Sequence, residues 1–413
     1  GKYKVIYATG SAYYEDVVSK TEKKDYLVIK ERIDGIKAMK ASDLLVSRAG
    51  ATTLCEITAL GMPAILIPSP YVPNNHQYFN ALALVKKDAA LMIEEKDLSA
   101  ISLKEKIDSI INDVNREIMI KEFLCERGNY RDDKTFSKLT TVKMGGEIAH
   151  YVEPYNLACL KEIIDFVKAE HIPFKVIGNG SNLICGSSRF EGVVISLKNF
   201  NNFEVYNDQL YVEAGVMMPF LCMSIAKLGL SGLEFASGIP GSVGGLVFMN
   251  AGAYKKSMAD VVTEVLILKD GEICRMKKDE LKLSYRYSIF QEHPRWIVIA
   301  CYMTLEHGDA DEILDLIKDR KNRRMDTQPL DKPSAGSCFR NPEGGFAWKY
   351  IDEVGLRGAN MNGAEISTKH PNFIINAGGG TGEDYLALAL KAQEEVKKKF
   401  DVKLIMEVEK FNC

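Results

Sequence analysis

The chain has 413 residues, which exceeds a single average domain of roughly 100–200 residues, so we expect two to four structural units. Its net charge of −3, from 53 basic and 56 acidic residues, gives no indication of binding to nucleic acid or to an anionic membrane. No apolar run approaches the roughly 20 residues that a membrane span needs, and the N-terminus lacks signal-peptide features. Nine dispersed cysteines without a CxxC pair, and six dispersed histidines, predict a cytoplasmic protein with neither a disulfide framework nor a metal site.

The N-terminal part alternates short apolar runs with helical patterns, which predicts an α/β lobe built on a partial doubly wound parallel sheet. Strands are predicted at 4–7, 26–29, 44–46, 64–67 and 89–93, and helices at 34–40, 53–60, 77–86 and 103–112. Thr53 and Glu56 have the spacing of a capping box, and Gly61 is predicted to end that helix.

Polar sequence over residues 112–138 shows no apolar periodicity, so no core element is predicted there and residues 116–135 are taken as a linker. Mixed α+β patterns follow. Helices are predicted at 158–170, 309–324 and 384–399, and strands at 174–177, 193–197, 210–213, 262–268, 296–303 and 402–408.

Two glycine-rich loops suggest a bound cofactor. Residues 238–254 read GIPGSVGGLVFMNAGAY, a composition that argues against an ordinary helix because Gly costs about 1 kcal/mol relative to Ala and Pro240 lacks a donor. Residues 176–184, VIGNGSNLI, follow a predicted strand. Uncovered backbone amides suit both a diphosphate and a flat ring, so the pair of loops predicts one large cofactor with both parts.

A set of motifs in fixed order identifies a family. Besides these loops, the motifs are YRYS at 285–288, GSCFRNP at 336–342 and MEV at 406–408. From about Phe136 to the C-terminus, the chain resembles the UDP-N-acetylenolpyruvoylglucosamine reductase (MurB) family, in its compact second type. The resemblance implies an α+β FAD-binding domain of the vanillyl-alcohol-oxidase-like type at 136–305, with two subdomains split near 190. It also implies an α+β substrate-binding domain at 306–400 and a C-terminal strand at 401–413.

The resemblance further implies non-covalent FAD, with NADPH as hydride donor. Neither loop contains a histidine that could attach the flavin, and the nearby Cys185 is expected to be a small buried side chain. The residues implied to bind the cofactor are Ile177, Gly178, Asn179, Gly180, Ser181, Asn182, Gly238, Pro240, Gly241, Ser242, Gly244, Gly245, Asn250, Ala251 and Tyr254.

Three residues match the catalytic positions of the family. Arg286 would stabilise the enolate formed when hydride adds to C3 of the enolpyruvyl ether, Ser337 would protonate C2, and Glu407 would act with the arginine at the carboxylate. We favour Ser337 over Cys338 as the acid because neighbouring residues of an extended segment face opposite sides. The family usually has Pro-Glu-Val-Arg around the glutamate, whereas this chain has Met-Glu-Val-Glu.

Substrate contacts are implied at Tyr285, Arg340 and Asn341. The basic run KDRKNRR at 318–324 is either a solvated helix end or a source of cations for the substrate diphosphate. Thr327 stands where the family often has a lysine, and this departure implies either that the phosphate contact shifts to Arg340 or that substrate affinity is lower.

Residues 1–115 resemble a different family. SRAGATTLCE at 47–56, GMP at 61–63 and NHQYFNA at 75–81 are similar to the C-terminal half of the lipid-intermediate N-acetylglucosaminyltransferase (MurG) family. The resemblance implies UDP-GlcNAc contacts at Glu56, His76 and Gln77. Because the acceptor-binding half lies upstream in that family, we expect no sugar transfer by this chain alone.

The expected activity is NADPH- and FAD-dependent reduction of UDP-N-acetylglucosamine enolpyruvate to UDP-N-acetylmuramate in peptidoglycan synthesis, within a fusion of two cell-wall enzymes. One alternative is a flavin oxidase of the same fold acting on another substrate. Another is that the N-terminal lobe only binds UDP-GlcNAc or tethers the reductase to a partner.

Overall fold

A computed structural model describes residues 2–413, which divide into one unit ending at Glu122 and a second unit from Phe123 to Cys413. Within the described residues, no helix is both long enough and apolar enough to cross a bilayer.

The first unit is α/β with parallel strand pairing, as the sequence predicts. Val5–Ala8 pairs with Leu27–Lys30, and Leu45–Ser47, Ala64–Leu66 and Leu91–Met92 form a three-stranded parallel sheet. The helices are Tyr14–Lys20, Gly35–Lys40, Ala51–Leu60, His76–Val85 and most of Ala100–Arg127, whose last five residues belong to the second unit. The central strand of the three-stranded sheet is fully buried, so this sheet contributes to the core of the unit.

The predicted capping box is wrong. The helix begins at Ala51 with Gly50 as its N-cap, and no side chain caps it, so Thr53 already lies inside the first turn. Its predicted end is confirmed, because Gly61 adopts a left-handed conformation with a φ of 61°.

The absence of structure predicted for residues 112–138 is also wrong. The helix Ala100–Arg127 continues through the polar segment, and the strand Gly128–Arg131 follows it directly. Within the second unit, Leu124 is completely buried and the ring of Phe123 stacks on that of Phe166 at 3.9 Å. A few large apolar residues therefore stabilise a segment whose average composition is polar.

The second unit contains three larger sheets. Their strand orders are Gly128–Arg131, Ile148–Pro154, Phe190–Ser196, Phe174–Ile177; then Phe203–Tyr206, Gln209–Glu213, Ile297–Thr304, Val262–Lys269, Glu272–Lys277; then Ser334–Ser337, Phe373–Asn376, Ala364–Ile366, Asn360–Met361. The first sheet mixes parallel and antiparallel pairs, whereas the other two are antiparallel.

Shorter pairs and seven helices complete this unit. The pairs are Leu183–Cys185 with Glu409–Phe411, Leu230–Ser231 with Glu306–His307, and Gly252–Ala253 with Lys256–Ser257. The helices are Phe136–Leu139, Leu157–Ala169, Met218–Ala226, Val243–Phe248, Ala310–Thr327, Ala347–Glu353 and Gly382–Phe400.

Two further sequence predictions need correction here. The glycine-rich segment does contain a helix, Val243–Phe248, because Val243, Leu246 and Val247 are buried and their burial outweighs the glycine cost. The C-terminal strand is Glu409–Phe411, not 402–408. Before it, Met406 forms an isolated antiparallel bridge to Phe339.

Candidate functional site

Two adjoining cavities of the second unit meet at the two glycine-rich loops. Their volumes are ≈ 1040 and ≈ 380 Å³, and residues 175–179 together with Ser242 line both. Ligand sites in proteins typically occupy about 300–1000 Å³, so this combined trough has room for a dinucleotide cofactor.

The two loops contact each other directly. Asn179 Nδ2 donates a hydrogen bond to Pro240 O at 2.6 Å, and a Cβ added to Gly178 would lie 2.5 Å from Ser242 Oγ. Gly180 has a φ of 61°, and an added Cβ would lie 2.3 Å from Leu139 O. Glycine is therefore required here for close backbone approach, which leaves uncovered amides along the cavity.

Most of the predicted cofactor residues line these cavities: Ile177, Gly178, Asn179, Gly180, Ser181, Asn182, Pro240, Gly241, Ser242, Gly244, Gly245 and Ala251. Gly238, Asn250 and Tyr254 do not. An added Cβ on Gly238 would meet Arg324 Cδ at 2.7 Å, and Asn250 Nδ2 donates to Ser284 O at 2.7 Å. The ring of Tyr254 lies under the guanidinium of Arg320. These three residues brace the loops that surround the site.

Arg286 occupies a tight turn beside the smaller cavity. The backbones of Ser284 and Tyr287 exchange two hydrogen bonds, and Arg286 between them has a φ of 57°. A left-handed conformation costs a non-glycine residue about 1–2 kcal/mol. The turn thus holds a strained backbone at the position where the guanidinium enters the cavity wall.

Glu407 is fixed from both sides by backbone contacts. Its N–H donates to Cys338 O at 2.8 Å, and Asn182 Nδ2 donates to Glu407 O at 3.1 Å. Its Oε1 lies 2.6 Å from Arg286 Nε, with only 14% of the Glu407 side chain exposed. Burial raises the pKa of the Glu407 carboxyl above its usual range, although the cations of Arg286 and Arg340 oppose this shift.

Ser337 and Cys338 face different surroundings. Ser337 is partly exposed and lines the smaller cavity with Arg286 and Glu407, whereas Cys338 is completely buried. Burial raises the pKa of the Cys338 thiol to about 12. The three predicted catalytic residues therefore meet at one cavity wall, and the neighbouring thiol does not.

The predicted substrate residues lie near this wall without lining it. Arg340 is close enough to influence the Glu407 carboxyl, and its Nε is buried without a hydrogen-bond partner. The hydroxyl of Tyr285 accepts from the backbone N–H of Asn341 at 3.4 Å, and the Asn341 side chain accepts from Ala347 N. Tyr285 and Asn341 thus connect the YRYS turn to the GSCFRNP segment.

Arg324 and Gln328 also line the smaller cavity. Arg324 was expected only as one member of the basic run 318–324, and Gln328 was not expected at the site. Arg324 Nε and Gln328 Oε1 are buried without hydrogen-bond partners. Burial lowers the pKa of Arg324, and the nearby cation of Arg286 adds to this effect. The available signal was the four-residue spacing of Arg320 and Arg324, which places both on one helix face.

In the first unit, the residues predicted to contact UDP-GlcNAc lie on consecutive helices. Glu56 is partly exposed on Ala51–Leu60, and His76 begins the helix His76–Val85. Gln77 Oε1 already accepts a hydrogen bond from Ser69 N at 2.9 Å. Ligand binding by these three residues remains a prediction.

Comparisons with known proteins match both parts of the chain. The model for the UDP-N-acetylenolpyruvoylglucosamine reductase C-terminal domain matches residues 328–411, and that for an FAD binding domain matches residues 148–277. UDP-N-acetylenolpyruvoylglucosamine reductase of Carboxydothermus hydrogenoformans is 43% identical over 294 residues, which cover 70% of this chain and 97% of the relative. The chain belongs to this reductase family. The Clostridium tetani member is 39% identical over 281 residues, covering 68% of this chain and 91% of the relative.

A solved structure of the reductase family supports the fold. The Thermus caldophilus enzyme matches with a TM-score of 0.59 at 33% identity, covering 69% of this chain and 99% of that chain. The expected FAD-binding domain is confirmed, and the glycine loops, where added side chains would clash, fit a non-covalent FAD. Residues 1–126 match the glycosyltransferase family 28 C-terminal domain, which confirms the second resemblance.

Adjacent glycines test whether the cavity holds the flavin. Gly245→Ala is expected to fold normally, because its Cβ has only an ordinary contact with Ser242 Oγ at 3.5 Å, but to weaken FAD binding by filling the cavity wall. Gly244→Ala is expected to destabilise the apoprotein by about 1–3 kcal/mol, because its Cβ would lie 2.8 Å from Ala214 Cβ. Denaturant unfolding and FAD fluorescence titration would measure both; unchanged FAD affinity in Gly245→Ala would contradict the assignment.

Glu407 should make stability depend on pH in a definite direction. Because its folded-state pKa is raised, the folded protein retains a proton that the unfolded chain loses from roughly pH 4.3 upward. We expect the stability of the wild type, relative to Glu407→Gln, to decrease as the pH rises through the folded-state pKa. Urea unfolding curves of the wild type and of Glu407→Gln from pH 4 to pH 8 would give the free energy of unfolding of both proteins. If the stability of the wild type relative to the variant increases with pH, the raised pKa is contradicted.

Proposed function

We propose that the second unit reduces UDP-N-acetylglucosamine enolpyruvate to UDP-N-acetylmuramate, with NADPH as hydride donor and FAD as carrier. The observation that supports this most strongly is the meeting of Arg286, Ser337 and Glu407, from three distant segments, at one cavity that the glycine loops also line. The proposal places the reaction in peptidoglycan precursor synthesis in the cytoplasm.

Arg286 would bind the substrate carboxylate. Its guanidinium stays charged and has several N–H donors, which suits the negative charge that develops on the carboxylate as C3 is reduced. The pairing with Glu407 holds the guanidinium at the wall before the substrate arrives. Glu407 contacts Nε, so the terminal N–H groups of the guanidinium would bind the substrate carboxylate.

Ser337 would give its proton to C2. FAD, when bound, supplies the chemistry of accepting hydride from NADPH and passing it to C3 of the enol ether. A serine is a weak acid, but the C2 carbanion is a strong base, so a positioned hydroxyl is sufficient. Glu407, which pairs with Arg286, would act with that arginine at the carboxylate end of the substrate.

Additional cations would hold the diphosphate of the UDP-sugar. Arg324 lines the cavity with a buried, unpartnered Nε, whereas Thr327, at the position of the usual lysine, hydrogen-bonds its own helix at Arg323 O. Arg324 is therefore better placed than the Thr327 position to receive an anion, and Arg340 lies close to the same wall.

An anaerobic experiment tests the proposal. NADPH should bleach the absorbance of the FAD-loaded protein near 450 nm, and UDP-N-acetylglucosamine enolpyruvate should restore it without oxygen. If only molecular oxygen restores the absorbance, the oxidase alternative holds and the reductase proposal fails.

The proton-donor role predicts a selective loss. Ser337→Ala should slow reoxidation of the reduced flavin by the enol ether about 10²–10⁴-fold, because no other hydroxyl is assigned to C2. Reduction of the flavin by NADPH should be nearly unchanged. This first half-reaction is therefore an internal control for the second half-reaction in the same variant. Ser337→Cys should recover part of the rate. Stopped-flow absorbance would separate the half-reactions, and equal slowing of both would contradict the role.

For the first unit, the match to a family 28 glycosyltransferase domain supports UDP-GlcNAc binding as a second, separate function. Glu56, His76 and Gln77 would be the contact residues. A tethering role without ligand is the alternative.

A further inference from the structure

One buried acceptor at the smaller cavity lacks a hydrogen-bond donor. Gln328 lines this cavity, and its Oε1 is shielded from solvent without a partner among the described residues. A buried polar atom without a partner destabilises the fold, so native proteins rarely contain one without a reason. At the wall of a ligand cavity, the unpartnered oxygen indicates a ligand that supplies the missing donor.

The local sequence holds Gln328 in a defined position. It directly follows the helix Ala310–Thr327, and its N–H donates to Arg324 O at 2.9 Å. Pro329 comes next, and the residue before a proline is restricted to extended backbone, which Gln328 adopts with a φ of −122° and a ψ of 149°. Its carbonyl accepts from Leu330 N at 2.9 Å. Since both backbone groups are bonded, the side-chain oxygen is the acceptor that remains for a ligand.

This oxygen requires a different ligand group from the cations around it. Arg286 and Arg324 line the same cavity and suit an anion. The oxygen of a glutamine amide only accepts hydrogen bonds, so phosphate and carboxylate oxygens, which are also acceptors, cannot satisfy it. Gln328 therefore indicates an N–H or O–H donor on a ligand in this cavity.

The flavin ring carries such a donor. The pyrimidine ring of isoalloxazine has one N–H, at N3, between the carbonyls at C2 and C4. The uncovered backbone amides of the glycine loops, which line the same cavity, can donate to those carbonyls. In the proposed reaction NADPH and the enol ether occupy the site in turn, whereas FAD stays bound. Of these ligands, the flavin alone could satisfy Gln328 throughout the cycle.

We propose that Gln328 Oε1 accepts a hydrogen bond from N3–H of the bound flavin and thereby fixes the orientation of the isoalloxazine ring. The bond distinguishes the pyrimidine end of the ring from the dimethylbenzene end, which has no N–H. Gln328 thus selects the ring end that lies beside the end of the helix Ala310–Thr327. The inference rests on FAD binding and not on reduction of the enol ether.

Gln328→Leu is the direct test, because it removes the oxygen and keeps a side chain of similar size. In fluorescence titrations of the apoprotein, FAD should bind about 3–10-fold more weakly to the variant than to the wild type. FAD methylated at N3 lacks the donor, so the substitution should not weaken its binding. With FAD labelled with nitrogen-15 at N3, the N3 resonance of the bound flavin should differ between the two proteins, because the hydrogen bond changes the shielding of that nitrogen.

Gln393→Leu is the matched control. Gln393 is a partly buried glutamine of the same unit that donates to Leu404 O and lines neither of the two cavities. Its substitution should leave the FAD affinity and the N3 resonance unchanged. If Gln328→Leu does not fold, Gln328→Met takes its place, because methionine is unbranched, adapts to irregular space and also lacks the amide oxygen.

The proposal is overturned if the Gln328 variant binds FAD and N3-methylated FAD with equal losses, or if its N3 resonance matches that of the wild type. An unchanged flavin together with a raised KM for the enol ether would assign the oxygen to the substrate and would also overturn it. The binding measurements use FAD without NADPH or substrate. A supporting result in a protein that fails the anaerobic reduction test would therefore contradict the proposed function alone.

Discussion

The site depends on the ion pair between Arg286 and Glu407, which joins a tight turn to the C-terminal segment. Burying two charges costs several kcal/mol per ion, and their attraction recovers this only with good geometry and further hydrogen bonds. Here the arginine also has a strained backbone, with a φ of 57°. An arrangement that is this costly for stability is better explained by chemistry at the cavity than by folding.

The cavity has an excess of positive charge. Three cations, Lys175, Arg286 and Arg324, line the smaller cavity with two carboxylates. Glu409 pairs with Lys175 and Glu407 pairs with Arg286, which leaves Arg324 as the cation in excess. Burial lowers the pKa of Arg324 and raises that of Glu407, because desolvation disfavours the charged form of each group. An anionic ligand would offset the cost of desolvating these cations, because it brings a compensating negative charge next to them. The glycine loops add uncovered amides beside these cations.

Motifs predicted which residues meet at the cavity better than periodic patterns predicted the helices and strands. Arg286, Ser337 and Glu407 could be named because each lies in a recognisable motif, and the structure brings all three to one wall. The helix Ala100–Arg127 was missed because its polar composition hides a few buried positions such as Leu124. The helix Val243–Phe248 was rejected on glycine content, yet tertiary burial outweighs local propensity.

Other features could not be read from the sequence because they depend on long-range contacts. The anchoring of Glu407 requires Asn182 and Cys338, which lie far away along the chain. Arg324 lines the cavity because one face of the helix Ala310–Thr327 is turned toward it. The run of basic residues alone could not show whether Arg324 faces the solvent or the cavity.

In the proposed reaction, the flavin, the Arg286 guanidinium, the Ser337 hydroxyl and the Glu407 carboxyl surround one reacting enol ether. A crystal structure of the chain with FAD and UDP-N-acetylglucosamine enolpyruvate would locate all of these groups together. We expect the isoalloxazine ring in the smaller cavity, with the substrate carboxylate on Arg286 and Ser337 Oγ within hydrogen-bond distance of C2. A flavin ring bound elsewhere, or a substrate whose C2 is out of reach of Ser337, would contradict it.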